Sequence, residues 1–456
     1  MSTLKAPQQG RAHRRSPSDD RRQAAVLSPS KKGPLEDEPD LSSSTVPQAD
    51  RDRSVSPLPP SQAPAQGVDQ VRQNIVAMIC RPEIYRPLPP NMIPQAFLSS
   101  VNAAKADASV EELVEQGHFY AAAIMSARRL ANLYGNADLL TVFNLFYTRL
   151  ACLSLINNAC LEIAAVESLE LRDLTAAMYL DPITNEHIVP WHLRVLAVRL
   201  QSIGFKDWRR GIMSYYLLAH DARQNIAKAR HKPDPENEKL WSARLHDLGI
   251  RVANMLVEMS DLDAAGRHLR TLLLDERDEA EKKRLTFMQI LVWLQIGDLR
   301  AARRCLATLY GASVPVASPS LEAMDLTTEA SESYTARVLH ALTHMAEGNF
   351  STAAEEWSSI QASYPEDDMI RQNKAICLLY MGRMHEAHRC LEKAVEDAAA
   401  APSHSLLFNL CTFYELSSDR AREMKGKLAE KVAEKEPASS GWQRSTADFK
   451  METLRA

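Results

Sequence analysis

The chain has 456 residues, 45% of them apolar but only 6% aromatic, with just 15 glycines and with alanine and leucine throughout; this balance favours packed helices over sheets. Its 54 basic and 58 acidic side chains leave a formal net charge of −4, which gives no general pull toward nucleic acid or acidic lipid. Seven dispersed cysteines, Cys80, Cys152, Cys160, Cys305, Cys377, Cys390 and Cys411, include no Cys-x-x-Cys pair, which argues against a disulfide frame or a zinc site and for buried thiols in a reducing compartment.

Residues 1–67 are rich in Ser, Pro, Arg, Asp and Gln and nearly devoid of large apolar side chains. Such a segment cannot bury enough surface to offset the entropy of ordering, so a disordered tail is expected. Ser16, Ser28 and Ser56 each precede a proline and are candidate phosphorylation sites. The opening MSTLKAPQQG has no apolar signal core, and the apolar run over 139–161 is interrupted by Asn144, Arg149, Asn157 and Asn158. The chain is therefore expected to be soluble and cytoplasmic, with no membrane span.

Residues 68–105 contain an amphipathic VRQNIVAMIC and continue as RPEIYRPLPPNMIP, whose prolines forbid a continuing helix. An extended strap is expected there. It is read either as a docking peptide for a partner or, preferably, as a segment whose Ile84, Tyr85, Leu88 and Met92 lie along the chain's own first repeats.

From about residue 106 helical periodicity takes over, and one punctuation recurs. A small residue is followed two positions later by an apolar residue and, three further on, by alanine: Gly117 to Ala122, Ser260 to Ala265, Gly297 to Ala302, Gly348 to Ala353 and Gly382 to Ala387. The glycine suits the left-handed conformation that ends a helix, and the alanine lets the next helix approach closely. The last two turns stand 34 residues apart (348 to 382), the period of the tetratricopeptide repeat. Between 117 and 260 the units are degenerate, with expected helix pairs over 139–156 and 159–171 and over 191–203 and 208–229, the latter turning at Gly204. A final pair is expected over 405–417 and 420–434, followed by a flexible tail at 437–456. The expected fold is thus all-α: a right-handed solenoid of six or seven tetratricopeptide-like helix pairs over 106–436.

The sequence offers no phosphate loop, nucleophile elbow or metalloprotease helix. His340 and His344 share a helix face at i and i+4, but no third ligand is evident in the sequence, and neither metal nor cofactor is expected. For the polar loop over 181–187 the sequence gives no motif or partner that would support acid–base chemistry. At the helix positions where some tetratricopeptide domains clamp a heat-shock protein's terminal carboxylate, only Asn254 fits. The chain is read as a binding protein, not an enzyme.

Two runs near the C-terminus are more specific. Asn373, Ala375, Cys377, Leu378, Leu379, Tyr380 and Gly382, followed by Leu407, Phe408, Asn409, Leu410, Thr412, Tyr414, Glu415 and Leu416, resemble the subunit-12 family of the trafficking protein particle (TRAPP) complex. Weaker similarity extends over 110–436. The resemblance implies a scaffold subunit of an exchange and tethering complex for an early-secretory Rab GTPase, acting in ER-to-Golgi traffic and autophagy. It further implies subunits 8, 11 and 13 as neighbours and peripheral membrane association through the complex alone. An adaptor outside membrane traffic, such as a ubiquitin-ligase or cell-cycle scaffold, is the alternative. Within the motif, Leu378, Leu379, Tyr380, Phe408, Leu410 and Leu416 are expected in the core. Asn373, Asn409, Thr412 and Glu415 are candidates for lining a partner or tying adjacent helices.

Overall fold

The computed structural model describes residues 63–105, 107–133, 138–173, 177–181, 183–184, 186–231, 234–310 and 328–451. Residues 1–62 of the expected tail, with its three candidate phosphorylation serines, and the loop over 311–325 lie outside the described residues, whereas residues 63–67, expected to belong to the disordered tail, open a helix. Among the described residues, two α-helices, α1 (Ala63–Ile79) and the short α2 (Gln95–Leu98), precede eight helix pairs. The pairs are α3 (Val110–Glu115) with α4 (Phe119–Asn132), α5 (Leu139–Ile156) with α6 (Asn158–Glu167), α7 (Trp191–Gly204) with α8 (Trp208–His231), and α9 (Pro235–Glu258) with α10 (Leu262–Asp275). There follow α11 (Glu279–Ile296) with α12 (Leu299–Tyr310), α13 (Thr328–Ala346) with α14 (Phe350–Ser363), α15 (Asp368–Tyr380) with α16 (Met384–Asp397), and α17 (His404–Ser417) with α18 (Ala421–Ala433). Among the described residues the only β pairings are the isolated bridges Leu180–His187 and Ala400–Glu436.

The recurring turn owes its form to local backbone chemistry. Gly117, Gly297, Gly348 and Gly382 all adopt positive φ, between 72° and 86°. The amide of the next residue then reaches back to the carbonyl five positions earlier: His118 to Leu113 at 2.8 Å, Asp298 to Trp293 at 3.0 Å, Asn349 to His344 at 2.9 Å and Arg383 to Leu378 at 2.9 Å. This satisfies carbonyls that the helix end would leave open. Ser260 makes the same turn at φ 63°, with Asp261 bonded to Leu256 at 2.9 Å. Downstream, Ala122, Ala265, Ala302, Ala353 and Ala387 are all buried, as close helix approach requires. The unit at Gly348 also buries Trp357 and Ile360 completely.

Eight pairs are present among the described residues where six or seven were expected, and they coincide with the five punctuated turns, the two degenerate early pairs and the final pair read from the sequence. The helices α5 and α6 are joined by Asn157 alone, whose side-chain oxygen accepts from the Cys160 amide at 2.9 Å. Gly204 does not make the turn after α7; the left-handed residue is Lys206. Gly204 is instead required by proximity, since a Cβ there would fall 2.2 Å from Ala165 Cβ.

With a mean hydropathy of 1.7, α5 is long and apolar enough to cross a membrane, yet it packs between α4 and α6 and carries a buried charge. The Arg149 guanidinium meets the Glu167 carboxylate at 2.7 and 3.0 Å and also donates to the carbonyls of Ala123 and Arg86, each at 3.0 Å. Glu167 accepts in turn from the Arg86 amide at 3.0 Å. A buried ion pair is tolerable only with its remaining hydrogen-bonding capacity filled, and here the strap supplies part of that filling.

The strap is less extended than expected. It contains α1, two single 3-10 turns at Pro82–Ile84 and Pro90–Met92, and α2. Ile75, Ile79, Cys80 and Met92 join the core of the first helix pairs, so the segment lies along the chain's own repeats.

The expected flexible C-terminal tail is, through residue 451, a docked segment. Trp442 and Phe449 are fully buried, with Phe97 of α2 edge-on to the indole at 5.1 Å and 6.1 Å from the Phe449 ring. Buried Arg444 donates to the carbonyls of Pro402 at 2.9 Å and Ala401 at 3.1 Å. Further bonds run from the Thr446 amide to Met92 O at 2.8 Å, from the Trp442 amide to Gly117 O at 3.1 Å and from Ser100 Oγ to Ala433 O at 2.7 Å. Together they tie the first helix pair to the last. A short, non-periodic run reads as a tail in sequence because its partners are non-local, with Met92, Phe97 and Gly117 hundreds of residues away.

Candidate interaction surface

The recognised motif occupies α15 and α17, the first helices of the last two pairs, and its polar residues are engaged within the chain. Asn373 Nδ2 donates to Met369 O at 3.0 Å, one turn back on the same helix. Asn409 Nδ2 donates to Gln372 Oε1 at 3.2 Å, and Gln372 Nε2 donates to Ser403 Oγ at 3.3 Å, so this small network joins α15 to α17. Thr412 Oγ1 donates to Phe408 O at 2.9 Å and accepts from Lys450 Nζ at 3.2 Å. Glu415 accepts from both Lys425 and Lys450, and these two ammonium groups hold its carboxyl below the usual range. Asn409 and Glu415 thus tie adjacent helices, Thr412 and Glu415 seat the C-terminal segment, and Asn373 is engaged within its own helix.

The apolar members divide differently from expectation. Leu378 and Leu410 are buried, but Tyr380 is 68% exposed, Phe408 48% and Leu416 61%. Leu378, Leu379 and Tyr380 are consecutive, and consecutive helical residues cannot share one face; nothing local specified which would turn outward. Tyr380 stacks on Phe350 of the preceding pair, with centroids 4.5 Å apart and planes 5° from parallel. Phe408 has the Lys450 ammonium 5.2 Å from its ring centre, within cation–π range. Exposed aromatic rings held by neighbours are the side chains that protein interfaces favour as anchors.

No family model matches the chain. Trafficking protein particle complex subunit 12 from Homo sapiens is 27% identical over 328 residues, which cover 66% of this chain and 43% of the human protein. The protein of the same name from Mus musculus is 27% identical over 312 residues, covering 64% of this chain and 37% of its own length. The chain is similar to TRAPP subunit 12. It spans less than half the length of these two relatives. Among solved structures, a tetratricopeptide repeat protein from Parabacteroides merdae aligns with 69% of this chain and 94% of its own at 13% identity and a TM-score of 0.34.

Beside the subunit-12-like motif, the sixth pair brings together residues that sequence left apart. His340 and His344 of α13 face Glu356 of α14, with ligand-capable atoms all within 4.8 Å of one another. His340 Nδ1 lies 2.5 Å from Glu356 Oε1, a hydrogen bond that raises the histidine's pKa. The third ligand that sequence did not reveal is thus on the facing helix, 16 and 12 residues further on (340 and 344 to 356). In the polar loop, by contrast, Asp181 accepts from the amides of Ile183 at 2.8 Å and Thr184 at 3.2 Å. These bonds lower its pKa and commit the carboxylate to its own turn. All seven cysteines are free, and burial pushes Cys152 up to about 12 and Cys160 up to about 11, which suppresses the reactive thiolate.

Proposed function

We propose that this chain is a non-catalytic scaffold subunit of a TRAPP-type Rab exchange and tethering complex, acting in ER-to-Golgi vesicle traffic and in autophagy. The observation that carries the reading is the similarity to subunit 12 over two-thirds of the chain. The repeat architecture supports it, because stacked helix pairs present long surfaces on which partners dock. The neighbours in this reading are TRAPP subunits 8, 11 and 13. Contact with a Rab GTPase is indirect, through other subunits, and membrane association is peripheral and borrowed from the complex.

Affinity purification of a tagged chain from native cells, with the co-purifying proteins quantified, tests the proposal. TRAPP subunits recovered in fixed ratio are the expected result. Recovery of a ubiquitin ligase or a heat-shock protein in their place would overturn it. The purified chain alone should also leave nucleotide release from an early-secretory Rab unchanged, and measurable acceleration would contradict the scaffold role.

A further inference from the structure

We propose that His340, His344 and Glu356 form a three-ligand site for a divalent transition ion of the zinc class, cross-linking the two helices of the sixth pair. The two histidines lie one turn apart on α13, and Glu356 projects from the facing α14, so the donors converge from both members of the pair. Their ligand atoms lie within 4.8 Å of one another. His340 Nδ1 is 2.5 Å, and His344 Nε2 3.8 Å, from the same oxygen, Glu356 Oε1.

A tetrahedral zinc ion with ligands at about 2.0–2.2 Å places those ligands roughly 3.4 Å apart. Closing the observed spread takes a shift of about 1 Å or slightly more, the scale of small side-chain rotations. The ion takes the place of the hydrogen bond that Glu356 Oε1 accepts from His340, while two further polar atoms of the group are unfilled. His344 Nδ1 and Glu356 Oε2 are both buried, and neither has a hydrogen-bond partner. Buried polar atoms normally have one, and an unfilled ion site is a recognised reason for an exception such as Glu356 Oε2.

The surroundings suit the ion as well. Glu347 Oε2 lies 3.8 Å from His344 Nδ1, and Glu347 is itself held by Arg303 and by Asn349 Nδ2 at 3.2 Å. A small turn of the imidazole makes Nδ1–H donate to Glu347, which leaves the Nε2 lone pair for the metal, the usual outer-carboxylate arrangement around a ligating histidine. Each ligand side chain is about a quarter exposed, so an ion can enter and water can fill a fourth position. Two imidazoles and one carboxylate select a zinc-like ion over calcium or magnesium, which prefer all-oxygen shells, and over copper(I), which prefers sulfur.

The test uses the full chain, freed of metal by chelator and titrated with Co(II) and then Zn(II) alone. We expect one equivalent of Co(II) to bind with the visible absorption of a four-coordinate site, zinc to displace it, and zinc to slow hydrogen exchange in α13 and α14. His344→Gln and Glu356→Gln should each abolish the absorption and weaken zinc binding by at least about tenfold, while keeping wild-type helicity. His385→Gln, on α16, should bind like wild type. A wild-type chain that binds no stoichiometric ion would overturn the proposal, as would zinc binding that survives unchanged in His344→Gln. The exchange measurement on wild type decides the matter even if a variant misfolds.

Discussion

The main-chain amide of Trp442 donates to the carbonyl of Gly117 at 3.1 Å, joining the C-terminal segment to the turn of the first helix pair. Gly117 therefore answers two demands. Its φ of 72° is positive like that of the other glycine turns in the array, but a Cβ there would also fall 2.3 Å from Ala438 O and 2.6 Å from the Trp442 nitrogen. At Gly382, with φ 77°, a Cβ would meet nothing within 4 Å.

Alanine at the two positions separates these demands. Gly382→Ala should cost only the left-handed penalty, roughly 1–2 kcal/mol. Gly117→Ala adds steric displacement of the docked segment, for a total of roughly 2–5 kcal/mol. Urea denaturation of the two variants measures the difference, and equal losses would mean that the segment does not press on the turn.

Arg149 and Glu167 lock the strap against α5 and α6. Arg149→Met should destabilise by about 3–5 kcal/mol, because it leaves a buried carboxylate unpaired. The double change Arg149→Met with Glu167→Leu removes both charges and should lose much less, a coupling that a double-mutant cycle reads directly. Additive losses would show that the pair contributes no mutual stabilisation.

Ala353 is fully buried in the best-formed unit, where Trp357 and Ile360 are also fully buried. Ala353→Leu forces added volume between two close helices and should cost about 1–3 kcal/mol. An unchanged melting temperature would refute the close approach assigned to that position.

The turn glycines and alanines were legible in the sequence because their physics is local: the hydrogen bonds that close each glycine turn span six residues, and the alanine follows five later. Lys206 shows the limit of that signal, since it takes the left-handed conformation without being a small residue. The burial of Trp442 was not legible, because its indole packs on Phe97 and its amide on Gly117. Glu356 as a partner of His340 was hidden for a similar reason, as it depends on the register between two facing helices. Tyr380 and Phe408 were misjudged as core because a run of apolar helical residues shows that one side is buried without saying which.

Acid should loosen the junction between the first and last pairs. His118 is almost fully buried, its ring 5.1 Å from that of Trp442, and its Nδ1 has no partner; burial lowers its pKa. The unfolded chain takes up this proton near the ordinary histidine value of about 6.5, whereas the folded chain resists it until lower pH. Stability from this group is therefore intact above about pH 6.5 and falls as pH drops through the lowered folded value. His340 acts in the opposite direction: its raised pKa makes its contribution complete below about 6.5 and lost as pH rises through the folded value. Comparing wild type with His118→Gln isolates the first effect, and the variant should lose less stability between pH 7 and pH 5. Parallel profiles would assign the acid sensitivity to other groups.

The exposed rings and the polar motif make opposite predictions about docking in the proposed complex. Tyr380 contributes little to the core, so Tyr380→Ala should cost no more than its stack on Phe350, about 0.5–1.5 kcal/mol. If the exposed rings of the first helices form the docking surface, the same change should sharply reduce co-purification of TRAPP subunits while helicity is retained. Glu415→Ala instead strips Lys425 and Lys450 of their shared partner, and its first effect should be looser attachment of the C-terminal segment, seen as faster hydrogen exchange over 442–451. Because Lys450 already occupies Glu415 from within the chain, assembly should depend less on Glu415 than on Tyr380. The reverse order, with assembly lost in Glu415→Ala and kept in Tyr380→Ala, would return the docking role to the polar motif and imply that a partner displaces Lys450.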